Sequence, residues 1–296
     1  MNKQKVTESI KRIFHECPGN LMTETMTDTA ELVGLQLFDE PLLAFGSAGD
    51  ALFGTYKKPG VVGPWHMSPE EWLPGAKTVI SIFFPFTERV RRSNRGSTGE
   101  PSLEWLYGRV EGQNFIEAFT KAVRAWLLEE KIGVCAPSLD SRFQTVTGGK
   151  GITGYPEINE KTFGSRWSER HAAYACGMGT FGLSRGIITE KGMAGRLSSV
   201  IVDLALEPDA RRYSGIYDYC IQCGACIHRC PVEAISFEGG KNHTICSAQL
   251  KVNKKRYAPR YGCGQCQTKV PCESQIPKKA LDSLKNNEMS RQRLDR

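Results

Sequence analysis

The segment Cys220-Ile-Gln-Cys223-Gly-Ala-Cys226-Ile-His-Arg-Cys230-Pro231 constrains this chain more than any other stretch. Three cysteines spaced two residues apart let short loops turn their thiolates toward one corner of an iron–sulfur cubane. The fourth, set in a Cys-Pro turn, points away and serves a different cluster. One such run therefore needs a second set of thiols, and Cys246, Cys263, Cys266 and Cys272 supply it. The expected shells are Cys220, Cys223, Cys226 and Cys272 for one [4Fe–4S] cluster, and Cys230, Cys246, Cys263 and Cys266 for the other. Structural zinc favours two separated Cys-x-x-Cys pairs with a longer spacer. Disulfides need an oxidising compartment, which nothing in the sequence indicates.

At 296 residues the chain can form one large domain or two smaller ones. Its longest apolar run, from Val79 to Phe86, is broken by Ser81 and Pro85 and is too short to span a bilayer. The opening residues lead into an amphipathic pattern rather than an apolar signal core, so a cytoplasmic protein is expected. The formal charge of +7 is unevenly placed: residues 241–296 hold 13 Lys+Arg against 4 Asp+Glu. Each oxidised cluster with four thiolates carries about −2, so two clusters offset part of that excess. The remainder suits an acidic partner or a nucleic acid.

Along the chain, Val6, Ile10, Ile13 and Phe14 fall on one helical face, stopped by Pro18-Gly19. Residues 28–50 mix short helical stretches and turns, and 54–64 read as a loop. Ser68-Pro69-Glu70-Glu71 is a capping box with Pro at the first helical position. Thr78 to Phe84 reads as a buried strand. Residues 87–113 read as a polar loop carrying Arg89, Arg91, Arg92 and Arg95. Phe115, Phe119, Val123, Trp126 and Leu127 recur at helical spacing over 114–131, a core stripe. A short strand follows at 133–135, then a Gly-rich loop over 145–165 with Gly148, Gly149, Gly151, Gly154 and Gly164, long enough to be functional. Glu169 to Cys176 reads as a helix; 186–189 and 197–204 read as strands. Glu207-Pro208-Asp209 marks the expected domain boundary, giving units at 1–208 and 209–285 and a flexible basic tail at 286–296. Gly177-Met178-Gly179-Thr180-Phe181-Gly182 matches the dinucleotide fingerprint in letters only, because a helix precedes it and a strand follows, the reverse of what that site needs.

Two regions together resemble a known family. Arg170-His171-Ala172-Ala173-Tyr174-Ala175-Cys176-Gly177-Met178-Gly179-Thr180-Phe181-Gly182, with Leu183 and then Ser184-Arg185-Gly186-Ile187-Ile188-Thr189, is similar to the corrinoid-site segment of epoxyqueuosine reductases and reductive dehalogenases. The cysteine module follows at a similar distance in those enzymes. The resemblance implies an α+β chain: a nitroreductase-like cobalamin domain joined to a bacterial ferredoxin-like module with two [4Fe–4S] clusters. It implies base-off cobalamin contacted by Arg170, His171, Gly177, Gly179, Thr180, Phe181, Gly182, Leu183, Ser184 and Arg185. The family's Tyr-x-Arg-x-x-Asp-Tyr-His stretch, which carries a proton-donating acid, corresponds to 107–114 here, with Gly112 at the acid's place. Tyr107 and Glu111 are the neighbouring candidates for the catalytic role.

The resemblance thus implies a cytoplasmic iron–sulfur oxidoreductase that delivers low-potential electrons through two clusters to cobalamin, for a reductive reaction on an unknown substrate. Reduced ferredoxin or flavodoxin would be the donor. Two alternatives stay open. One is an electron-transfer or corrinoid-reducing protein with no small substrate of its own; the other is an enzyme reducing epoxyqueuosine in transfer RNA with a relocated acid. Among other candidates, His66 and His171 could approach a cobalt face, although a structural histidine explains each as simply.

Overall fold

The computed structural model describes residues 1–146, 151–159 and 162–284, and its centre is the strand β2 (Thr78–Pro85). All eight residues of β2 are buried, Thr78 and Ser81 among them, which explains its largely apolar character. Its side chains alternate between two cores. Ile80, Ile82 and Phe84 point into one, while Val79 and Phe83 point into the other. Around it runs an antiparallel sheet in the order β1 (Leu42–Ser47), β2, β6 (Gly195–Val202), β3 (Val134–Cys135).

The first face is covered by α1 (Lys3–Glu16) and α5 (Leu103–Glu129). The stripe Val6, Ile10, Ile13 and Phe14 is buried, and the Asn2 side chain caps α1 by accepting from Lys5 N at 2.9 Å. The long α5 buries Phe115, Phe119, Val123 and Leu127, as their spacing required. It begins earlier than the sequence suggests, and α4 (Glu88–Gly96) precedes it, so residues 87–113 are mostly helical rather than a loop. The reason is tertiary. Arg91 and Arg95 of α4 pair with Glu88 and with the distant Glu273, and the turn between the helices is tied by Asn94 and Ser102.

The second face carries α2 (Ala51–Tyr56), α3 (Pro69–Trp72) and α6 (Glu169–Ala175); β1 lies within the mixed stretch expected over 28–50, and α2 runs into the loop expected over 54–64, which is irregular from Lys57 on. The capping box at Ser68 and Glu71 forms as expected. After α6 the chain forms the hairpin β4 (Gly179–Phe181) and β5 (Ile187–Thr189), so the helix-then-strand order that ruled out a dinucleotide site is observed.

Beyond 208 the chain stays attached to the sheet: Asp209 N donates to Phe45 O, and its carboxylate accepts from Phe45 N. It then builds α7 (Ala225–His228), the hairpin β7 (Ile235–Ser236) and β8 (Gly240–Lys241), and α8 (His243–Arg256), with residues 278–284 helical again. Val270, Ile276 and Ala280 join the second core. No helix among the described residues is long and apolar enough to cross a membrane. Gly148, Gly149 and the tail from 286 lie outside the described residues.

Candidate functional site

The eight cysteines of the module gather as two sets of four. Cys220, Cys223, Cys226 and Cys272 line one small cavity, closed by Gly182, Leu183, Ser184, Val270 and Pro271. Cys230, Cys246, Cys263 and Cys266 line one end of a far larger cavity of about 1200 Å³. All eleven cysteines are free thiols. Among the described residues no three His, Cys, Asp or Glu side chains meet closely enough to hold a single ion, so each set surrounds space rather than a point. The sets adjoin, because the Cys266 thiol lies near enough to raise the Cys226 pKa.

Local sequence explains how the thiols are aimed. Gly224 (φ 74°) and Gly264 (φ 68°) start the turns that present Cys226 and Cys266. Both sit in left-handed backbone that glycine adopts at little cost, and the two turns, Cys223-Gly224-Ala225-Cys226 and Cys263-Gly264-Gln265-Cys266, form a short internal repeat. Cys272 is held by its flank: its carbonyl and that of Glu273 accept from Met193 N. The buried Glu273 carboxylate accepts from Arg95 Nε at 2.8 and 2.9 Å and from Lys269 N at 2.7 Å. Burial pushes the Cys226 and Cys272 thiols up to about 12 and Cys263 to about 11, so iron must displace protons that these thiols otherwise keep at neutral pH.

The larger cavity brings together part of the sequence-derived cofactor set. Arg170 and His171 of α6, Phe181 of β4 and Arg185 line it. Gly182, Leu183 and Ser184 face the small cavity instead. Gly177, Gly179 and Thr180 line neither. Gly177 ends α6 against the backbone of Asp209 and Ala210, a Cβ on Gly179 would meet Ile188 O at 2.0 Å, and buried Thr180 accepts from Tyr219 N. These residues therefore close the hairpin and support the cysteine module rather than opening backbone to a macrocycle.

His171 packs between Tyr56 and Phe181, ring centroids 4.8 and 5.0 Å away, with Nδ1 2.7 Å from Ser168 Oγ. Burial lowers its pKa to about 4, so it is neutral at physiological pH. His66 lies off the cavity, stacked on Trp167 at 5.6 Å and lowered by burial to about 3.

The two catalytic candidates also lie off the wall. Tyr107 is buried, its hydroxyl 2.8 Å from Thr27 Oγ1 and its ring under the Arg260 guanidinium. Glu111 pairs with the same Arg260, whose Nη2 lies at 2.7 Å. Gly112 faces the core: a Cβ there would come within 2.7 Å of Phe38, so an acid at this position has no room. The side chain of this helical stretch that does reach the cavity is Arg109. Sequence reasoning missed it, along with Arg196, Lys241, Phe86 and Trp105; only the Tyr-x-Arg pattern pointed toward Arg109.

Residues 214–236 match a family model described as a 4Fe-4S binding domain. The epoxyqueuosine reductase of Staphylococcus aureus is 24% identical over 238 residues, covering 76% of this chain and 56% of that protein. The tetrachloroethene reductive dehalogenase of Dehalobacter restrictus is 39% identical over 67 residues, 22% of this chain and 12% of the dehalogenase. The chain is similar to epoxyqueuosine reductases over most of its length and to reductive dehalogenases over a shorter stretch. A crystal structure of epoxyqueuosine reductase with an epoxyqueuosine-modified tRNA-Tyr stem loop superposes on this reductase/dehalogenase-like chain with a TM-score of 0.52 at 17% identity, covering 92% of this chain and 65% of that one, a likeness of fold. The chain spans about half the length of the curated reductases it matches.

Proposed function

We propose that this iron–sulfur chain is an oxidoreductase carrying two [4Fe–4S] clusters and a base-off cobalamin, with electrons reaching the corrinoid through the clusters for a reductive reaction on a substrate in the same cavity. One observation carries the reading. The void bordered by Cys230, Cys246, Cys263 and Cys266 is also bordered by Arg170, His171 and Phe181, so a cluster at the first group would adjoin whatever fills the rest. Both quartets offer the donor chemistry of tetranuclear clusters. The cavity exceeds the roughly 300–1000 Å³ of drug-sized ligand sites. Its wall mixes apolar and aromatic surface (Val61, Val62, Tyr56, Leu250) with hydroxyl and guanidinium groups, which fits a large macrocycle fringed with amides.

Cys220, Cys223, Cys226 and Cys272 would hold the outer cluster, and Cys230, Cys246, Cys263 and Cys266 the inner one. Arg170 and Lys241, both within electrostatic range of Cys246 and Cys266, would offset the inner cluster's charge. When bound, the corrinoid supplies low-potential chemistry that no side chain has. The chain's part is positional. Tyr56 donates to His171 O and fixes α6 at the cavity wall. Val146, Ile158, Trp65 and Phe163 pack together to exclude water. Neutral His171 keeps its second ring nitrogen free of any partner among the described residues. The N-terminal part would be a nitroreductase-like domain and the part beyond 208 a ferredoxin-like module. The helix α8 ends in Lys254, Lys255 and Arg256, a surface suited to an acidic donor such as reduced ferredoxin or flavodoxin in the cytoplasm.

A second reading, reduction of epoxyqueuosine in transfer RNA, is supported by similarity to that enzyme over 76% of this chain. Protein made without oxygen and with cobalamin supplied, then desalted, tests both. The first reading expects about eight iron, about eight sulfide and about one cobalt per chain. Clusters without retained cobalt would favour an electron-transfer or corrinoid-reducing role, and zinc in place of iron would overturn the proposal. Transfer-RNA binding with a steep salt dependence would favour the second reading.

A further inference from the structure

The wall of the large cavity carries Arg109, Arg170, Arg185, Arg196 and Lys241 and, among the described residues, no Asp or Glu. Arg185 donates to Gly239 O, and Lys241 and Arg170 face the cysteines at one end. Arg109 and Arg196 are different. They lie within electrostatic range of each other and of Arg170, and no cysteine is among the groups that act on Arg196. Among the described residues no carboxylate bonds either one. Arg196 donates to the neutral Gln113, and Arg109 lies over the Tyr261 ring at 4.5 Å. The Nε of each is buried without a hydrogen-bond partner among the described residues. Glu117 acts on Arg196 only across Gln113, from which it accepts, and Glu111 pairs with Arg260.

Two guanidiniums from separate elements, α5 and β6, are thus held together on the cavity wall without a directly bonded counter-charge among the described residues. Burial, and the repulsion of Arg109 and Arg170, lower the Arg196 pKa to about 9. Such an arrangement is stabilised by an anion that accepts from both forks. Beside them the wall is Phe86 and Trp105, ring centroids 4.7 Å apart, an apolar floor next to the charges. We infer that Arg109 and Arg196 form an oxyanion subsite that anchors a carboxylate or phosphate group of a small organic substrate, with its apolar body on Phe86 and Trp105. The inference rests on the cavity being the reaction chamber of the proposed function, and it names the class of substrate.

The same oxyanion chemistry could come from the phosphodiester in the nucleotide tail of a corrinoid, so the test has two arms. In the first, the full chain with reconstituted clusters is titrated calorimetrically with benzoate and with inorganic phosphate, without corrinoid. Saturable binding at one site is expected, weakened about tenfold or more in Arg109→Gln and in Arg196→Gln, less in Arg109→Lys, and unchanged in the exposed control Arg212→Gln. In the second, the same variants are titrated with cobalamin and with cobinamide, which lacks the tail phosphate, and followed by absorbance. The proposal expects both corrinoids to bind each variant as they bind the parent chain. Absence of saturable anion binding would overturn it, as would equal binding by the Gln variants. Selective loss of cobalamin but not cobinamide would also overturn it, by assigning the pair to the tail. Iron content, measured on each variant, separates failure of the subsite from failure of the cluster reading and excludes variants that do not fold.

Discussion

Glu273 is the contact through which α4 positions the flank of Cys272, and Glu273→Gln tests that linkage. The carboxylate is 6% exposed, lies 2.6 Å from Arg95 Nη2 and 3.6 Å from Arg91 Nε, and accepts from Lys269 N. Glutamine keeps the shape and removes the charge. Breaking a buried ion pair costs about 3–5 kcal/mol. Arg95 is one-third exposed, so solvent screens its share, and the expected loss is about 2 kcal/mol. Because Met193 N and Ala194 N also bond to the Cys272 and Glu273 carbonyls, loosening this turn moves a thiol of the first quartet and spares the second. Oxygen-free denaturant unfolding, followed by circular dichroism and by cluster absorbance, should show a lower midpoint. Iron should fall from about eight toward about four per chain. An unchanged midpoint together with full iron content would refute the reasoning that α4 holds the Cys272 turn.

Other consequences follow from the same geometry. Gly112→Asp drives a side chain into Phe38 and buries a carboxylate, so it should destabilise the chain by about 3 kcal/mol, read from its melting midpoint; an unaffected protein would contradict the packing of α5. Burial raises the Glu169 carboxyl to about 7. The folded state therefore favours the protonated acid, and the stability it contributes below the ordinary glutamate range is lost as pH rises toward 7. The unfolding free energy should fall by roughly 2 kcal/mol between about pH 5.5 and 7, and Glu169→Gln should flatten that slope. Neutralising Lys254, Lys255 and Arg256 to Gln should slow reduction by reduced ferredoxin or flavodoxin and weaken the salt dependence of the rate, as stopped-flow absorbance would show. Cys246→Ser should remove the inner cluster alone, leaving about half the iron.

Legibility in the sequence tracked how local each determinant is. The strand β2 was readable because burial on both faces demands eight consecutive residues compatible with a core. α1 and α3 were readable from a periodic stripe and a capping box. β1 was not, since only part of its span is buried and nothing nearby marks its ends. α4 was hidden because the Arg91 and Arg95 partners include Glu273, far along the chain. Short Cys-x-x-Cys loops leave few ways to aim their thiols, whereas Cys246 and Cys272 reach the two cavities through the fold. Of the cationic wall only Arg170 and Arg185 were legible, because Arg109, Arg196 and Lys241 lie on α5, β6 and β8, and only the fold brings them to one cavity. Glycine alone does not separate the two roles at 177 and 179, because close packing against Asp209 and Ile188 asks for the same residue type as a ligand cradle.

The proposed function requires two tetranuclear clusters adjoining each other, the inner one bordering the cavity. Electron paramagnetic resonance of the oxygen-free, dithionite-reduced chain measures this directly. Two [4Fe–4S] centres with lines split by mutual spin coupling are expected, collapsing to one uncoupled centre in Cys246→Ser. A single isolated centre in the parent chain, or zinc in place of iron, would contradict the account.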